Sequence, residues 1–133
     1  MKRALILLVL LGNITIGYAQ YSKEKLTDIL TGGSSKSWTA KGVNTDRPEK
    51  GFTFNKNMSV QIQKSDKGAV ATQNDKWSLT SADNIRWTIA IGSQSYEIIV
   101  SYDKSGTQYV KLTRKADVGK ATGGYELTLY GTK

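Results

Sequence analysis

The chain has 133 residues, with 19 basic against 11 acidic side chains for a net charge of +8, and it contains neither histidine nor cysteine. Without those two residue types, Ser-His-Asp hydrolysis, thiol chemistry and nearly every zinc or copper site are excluded, and no disulfide can staple the fold. A chain of this length builds one modest core.

The first residues read as a targeting segment. Lys2 and Arg3 precede an apolar run from Ala4 to Leu11, and Gly17-Tyr18-Ala19 supplies a small-residue cleavage site. The apolar run falls short of the roughly 20 residues needed to span a bilayer. Residues 1–19 are therefore expected to form a cleaved signal peptide. Residues 20–133 are expected to form one β domain, soluble in the periplasm or outside the cell, with no stable membrane span. Beyond the leader, 17 basic residues remain against 11 acids. The lysines are dispersed singly, a pattern of a solvated surface rather than a nucleic-acid patch.

After the cleavage site, Ser22 can cap a short helix that has Glu24 in its first turn, Leu26, Ile29 and Leu30 on one face, and Gly32-Gly33 as its stop. From Lys36 onward the apolar period changes to two. Strands are expected at 37–43 around Trp38, at 51–55 with Phe52 and Phe54, and at 58–64 with Met58, Val60 and Ile62 on one face. A weaker run covers 69–73. Later strands cover 76–80 with Trp77 and Leu79, 85–91 with Ile85, Trp87, Ile89 and Ile91, and 94–102 with Tyr96, Ile98 and Val100. The last two cover 107–115 with Val110 and Leu112, and 125–130 with Tyr125, Leu127 and Leu129.

Turn chemistry separates these runs at Asn55-Lys56-Asn57, Ser65-Asp66-Lys67-Gly68 and Asp103-Lys104-Ser105-Gly106. Short links join neighbouring strands, so the expected topology is an antiparallel meander. Pro48, the single proline, falls in the loop between the first two strands, where its missing N–H does no harm. Gly119 to Gly124 reads as a flexible hairpin loop. The fold class is all-β: an antiparallel up-and-down barrel, or a strongly curved sheet, of about eight to nine strands with one short N-terminal helix.

The sequence Leu30-Thr31-Gly32-Gly33 leading to Trp38, then Phe52-Thr53-Phe54 with Val60, Trp77-Ser78-Leu79, Tyr96-Glu97-Ile98 and Val110-Lys111-Leu112, resembles the lipocalin-like domain of small secreted Bacteroidetes proteins. That resemblance covers roughly residues 26–115. It implies an up-and-down barrel with a short helix near the N-terminus and, as in better-known relatives, a central cavity for a small apolar molecule. Lys36-Ser37-Trp38 stands where true lipocalins carry Gly-x-Trp.

No catalytic constellation emerges. The acids are spread thinly, Asp66, Asp75 and Asp103 fall in expected turns, and Gly119-Lys120-Ala121-Thr122 lacks the earlier glycine of a phosphate-binding loop. The chain is thus expected to be no enzyme, with no cofactor and no metal, and to act as a monomer. The aromatic residues carry the functional lead, since Trp and Tyr join rigid apolar area to a polar tip. Candidate ligand-binding residues at a barrel mouth are Trp38, Trp77, Trp87, Tyr96 and Tyr102, with Arg86 or Arg114 as an anchor for an anionic head. The partner is a small apolar or amphipathic ligand. The alternative is a protein-binding module, an inhibitor, immunity factor or envelope-assembly component, with a side-chain-filled core and recognition through loops or an outer sheet face. An eight-stranded barrel is wide enough either to fill itself or to hold one small ligand, and the aromatic load favours a mostly filled interior or a shallow cup.

Overall fold

The computed structural model describes residues 21–42, 48–114 and 125–132. Residues 1–19, expected to form a signal peptide, and the Gly119–Gly124 stretch lie outside them. One helix, α1 (Lys23–Thr31), precedes eight strands: β1 (Ser35–Gly42), β2 (Glu49–Asn55), β3 (Ser59–Asp66), β4 (Ala69–Thr80), β5 (Trp87–Ile91), β6 (Gln94–Tyr102), β7 (Gln108–Arg114) and β8 (Tyr125–Gly131). Each strand pairs antiparallel with the next. The β1–β8 pair, from Trp38 opposite Gly131 to Gly42 opposite Leu127, closes the sheet into a barrel.

Local chemistry sets α1. The Ser22 side chain accepts the Lys25 N–H at 3.1 Å, and Gly32 ends the helix in the left-handed region at φ 60°. Thr31, fully buried, donates to the Thr27 carbonyl at 2.7 Å and accepts the Gly33 N–H at 3.3 Å. Its own needs are met while it packs under the barrel rim. Leu26, Ile29 and Leu30 are buried on the face that covers one end of the barrel.

Alternation along the strands fills the interior. Trp38, Phe52, Phe54, Val60, Ile62, Trp77, Leu79, Trp87, Ile89, Ile91, Tyr96, Ile98, Val110, Leu112, Leu127 and Leu129 all point inward and join one buried cluster with the helix. Phe52 and Phe54 stack with centroids 5.9 Å apart, and Phe54 meets Trp77 edge-on at 5.5 Å. Both geometries suit the ring quadrupole.

Four expectations are corrected. The separate runs at 69–73 and 76–80 are one twelve-residue strand, β4, so the barrel has eight strands. Asn74 and Asp75 do not turn the chain, because β3 holds the backbone in extended pairing from Ala69 through Lys76. Ile85 does not face the core and is 48% exposed. The Asp83 carboxylate accepts the N–H groups of Ile85 and Arg86 at 2.9 and 3.0 Å, and Ser81 donates to the Arg86 carbonyl at 2.6 Å. That loop captures the backbone groups a strand would need, and pairing starts only at Trp87. Met58 sits in the β2–β3 turn at φ 70°, half-buried against the core, rather than inside a strand.

Asp103 organises the β6–β7 turn in the same way. It accepts the Ser105 hydroxyl at 2.7 Å and the Ser105 and Thr107 N–H groups at 2.9 Å. The Ser105 hydroxyl first of all holds the Asp103 carboxyl below its ordinary range, and the Arg86 N–H does the same for Asp83. Because each folded pKa lies below the unfolded one, their stabilisation is complete above the unfolded value. It is lost as pH falls from about 4 through the lowered folded values. Thermal melts between pH 2 and 6 are expected to show a shallower acid limb for the Asp83→Asn, Asp103→Asn double variant than for the native chain. Parallel acid limbs would count against this role.

Candidate functional site

The two ends of the barrel differ. At the helix end, three indoles are tied to backbone carbonyls. Trp38 Nε1 donates to Leu30 O at 2.9 Å, Trp77 Nε1 to Asn55 O at 3.1 Å, and Trp87 Nε1 to Tyr21 O at 2.9 Å. Each bond joins a barrel strand to an element that covers its end: the last turn of α1, the β2–β3 turn, or the segment entering α1. The Lys36 ammonium lies 4.4 Å from the Trp38 ring centre and covers it from outside. These three side chains are between 2% and 6% exposed, so none presents a free polar tip.

The opposite end holds a cup of about 300 Å³ lined by Pro48, Glu49, Phe52, Ile62, Lys64, Gln73, Asp75, Ile91, Ser93, Gln94 and Tyr96. Its floor is the buried set Phe52, Ile62, Ile91 and Tyr96. Its rim is polar, with side chains from β2, β3, β4 and β6.

Two features of the sheet create it. Register shifts between Glu49 and Gly51, because Glu49 is opposite Lys64 while Gly51 is opposite Gln63. The extra residue, Lys50, is exposed, and this β-bulge brings Glu49 onto the face that Phe52 and Phe54 would otherwise reserve for residue 50. Second, β5 pairs with β4 only at Trp77–Thr80. Among the described residues, the inward positions Gln73 and Asp75 therefore have no neighbouring strand on that side, and the wall is replaced by the Gly92-Ser93 turn. Gly92 has φ 60°, and a Cβ there would lie 2.3 Å from Asp75 Oδ2. Only glycine gives both the turn and room for that carboxylate. Asp75 also accepts the Lys76 N–H at 2.9 Å and the Gln73 amide at 3.3 Å. Gln94 Oε1 is buried at the rim with no hydrogen-bond partner.

The structure does not gather the seven sequence candidates into one site. Trp38, Trp77 and Trp87 belong to the helix end. Tyr102 lies there too, 57% exposed, its hydroxyl accepting the Gln108 amide at 3.1 Å. Burial first, and the neighbouring Tyr102 phenol second, push the Tyr21 hydroxyl above its usual range. Arg86 is exposed beside a wide, open depression that also includes Thr80, Ser81, Asp83, Trp87, Thr88 and Glu97. Arg114 ends β7, half-buried and opposite Tyr125. Of the seven, Tyr96 alone lines the cup. The polar rim residues were not among the candidates, although four of them have the parity of inward neighbours: Lys64 that of Val60 and Ile62, Gln73 and Asp75 that of Trp77 and Leu79, and Gln94 that of Tyr96 and Ile98.

Comparisons with protein-family models, with curated proteins and with solved structures returned no match. Among the described residues, no helix is long and apolar enough to cross a membrane.

Proposed function

We propose that this is an exported, non-catalytic binding protein of lipocalin-like type, which holds a small amphipathic molecule in the cup opposite the helix. The observation that supports this reading is the asymmetry of the barrel. One end is sealed by α1 and three bonded indoles, while the other opens into about 300 Å³ with an apolar floor and a polar rim. That volume is at the small end of ligand pockets, which run from about 300 to 1,000 Å³. The rest of the interior is filled by side chains, so the ligand is short. Its apolar part rests on Phe52, Ile62, Ile91 and Tyr96, and its head meets the rim. The leader-like segment at residues 1–19 and the absence of cysteine support delivery to the periplasm or outer surface of a bacterium, and the spaced aromatic pattern supports kinship with the lipocalin-like proteins of Bacteroidetes.

Titration with N-phenyl-1-naphthylamine tests the reading. Saturable fluorescence enhancement at one probe per chain is expected. Gln73→Trp, which fills the cup from an exposed position without touching the core, is expected to weaken uptake by about tenfold or more. Uptake unchanged by Gln73→Trp, or no saturable uptake at all, would remove the cup as the binding site.

A further inference from the structure

Among the described residues, the outer half of β4 has a strand neighbour on one side only. It pairs with β3 from Ala69 to Lys76, but with β5 only from Trp77 to Thr80. Two backbone bonds fix which groups face outward. Trp77 N donates to Met58 O at 3.0 Å on the β3 side, and Lys76 O accepts Gly92 N at 2.8 Å on the β5 side. By antiparallel alternation, the odd-numbered residues of this half bond to β3, while Val70, Thr72 and Asn74 aim their N–H and C=O groups away from it. Among the described residues no strand takes those groups. Every side chain from Ala69 to Asn74 is exposed, with Val70 at 77%. The run contains no charge and no proline, the devices by which native sheet edges usually block pairing.

We infer that this edge pairs antiparallel with the same edge of a second copy of the chain, about a two-fold axis at Ala71, in place of the monomer expected from sequence. The register follows from the structure. The slot beside Lys76 is filled by Gly92, so the hairpin tip of the partner copy can advance no further than Asn74 and Asp75. Outward-facing residues must also meet outward-facing residues. The largest overlap that meets both conditions sets Val70 opposite Thr72, Ala69 opposite Gln73 and Ala71 opposite itself. The contact is isologous, as a two-fold requires. The small side chains of Ala69 and Ala71 leave room for the approach.

Charge complementarity favours a second copy over an unrelated strand. The β3–β4 turn carries Lys67 and Gly68, both at positive φ, at its tip. In this register the tip of one copy ends beside Asp75 of the other, so Lys67 meets Asp75 once at each end of the contact. Asp75 lines the cup, and each tip thus stands at the cup rim of its neighbour.

The chain has no cysteine, which permits a direct trap. Ala71→Cys places one thiol on the axis. Opposite residues in a pair without ladder bonds have Cα atoms about 4.5 Å apart, within disulfide reach. Val70→Cys and Gln73→Cys, at positions that are also exposed, set identical residues two and four positions out of register and beyond reach. Under mild oxidation, Ala71→Cys is expected to form covalent dimer at least about tenfold faster than the other two. Adding Thr72→Pro, which deletes an outward N–H and spares the β3 pairing, is expected to bring it down to their rate. Sedimentation equilibrium of the native chain is expected to show mass rising with concentration toward the dimer. Lys67→Asp is expected to weaken that association, and Asp75→Lys added to it to restore it. Equal trapping rates at the three positions, or trapping indifferent to Thr72→Pro, would overturn the inference. A chain that stays monomeric at all concentrations, including one whose edge instead takes an unrelated extended peptide, would overturn it too.

Discussion

Trp38→Ala is expected to lower the unfolding free energy by about 3–5 kcal/mol, the usual cost of truncating a large buried aromatic. Trp38 is 2% exposed and fills the barrel directly beneath α1. Its removal opens a cavity and also strips the Leu30 carbonyl, at 0% residue exposure, of its indole donor. Against a total stability of about 5–15 kcal/mol for a domain, such a loss is a large fraction of what holds the fold together. Trp38→Phe separates the two contributions, since it keeps most of the ring and deletes only the N–H. It is expected to cost about 1–3 kcal/mol, the penalty of a buried acceptor left unmet. Urea melts report both values. An Ala variant within about 1 kcal/mol of native would show that α1 does not depend on this contact.

Phe54→Ala has a comparable expected effect, again about 3–5 kcal/mol, for a different reason. Phe54 is fully buried between the Phe52 ring it stacks on and the Trp77 ring it meets at 78°. The loss falls at the junction where β2 and β4 turn their aromatic residues into the barrel. Phe54→Leu, which keeps much of the volume, is expected to cost less than half as much. A double-mutant cycle with Trp77→Leu is expected to return a coupling of about 0.5–1.5 kcal/mol for the edge-on pair. A coupling near zero would mean that the rings contribute through buried area alone.

The period-two alternation made the barrel legible, because inward positions carry aliphatic and aromatic side chains almost without interruption from Trp38 to Leu129. The cap of α1 was equally legible in Ser22 and Gly32. What misled was Asn74-Asp75, whose turn-forming chemistry is overridden when β3 supplies pairing along its full length. At residues 81–86 the reverse happened. Ile85 has strand-forming character, but Asp83 and Ser81 bind the backbone first. The site was harder to read. Large aromatic residues near a barrel end are equally suited to sealing it and to contacting a ligand. The difference lies in whether the indole N–H finds a carbonyl, which depends on how α1 and the turns dock. The cup was signalled instead by polar residues at inward parity, Lys64, Gln73, Asp75 and Gln94. Only Glu49 was hidden, because its inward position comes from a bulge that alternation does not announce.

The proposed function requires that the barrel be filled beneath its helix and receive ligand only at the opposite cup. Proton–nitrogen correlation spectra recorded while N-phenyl-1-naphthylamine is added test it most directly, since the three indole N–H groups report the helix end and the amides of Ile91, Gln94 and Tyr96 report the cup. The cup amides are expected to shift and saturate together while the three indole signals stay in place. Shifts of the Trp38, Trp77 and Trp87 indoles with the cup amides unmoved would contradict it.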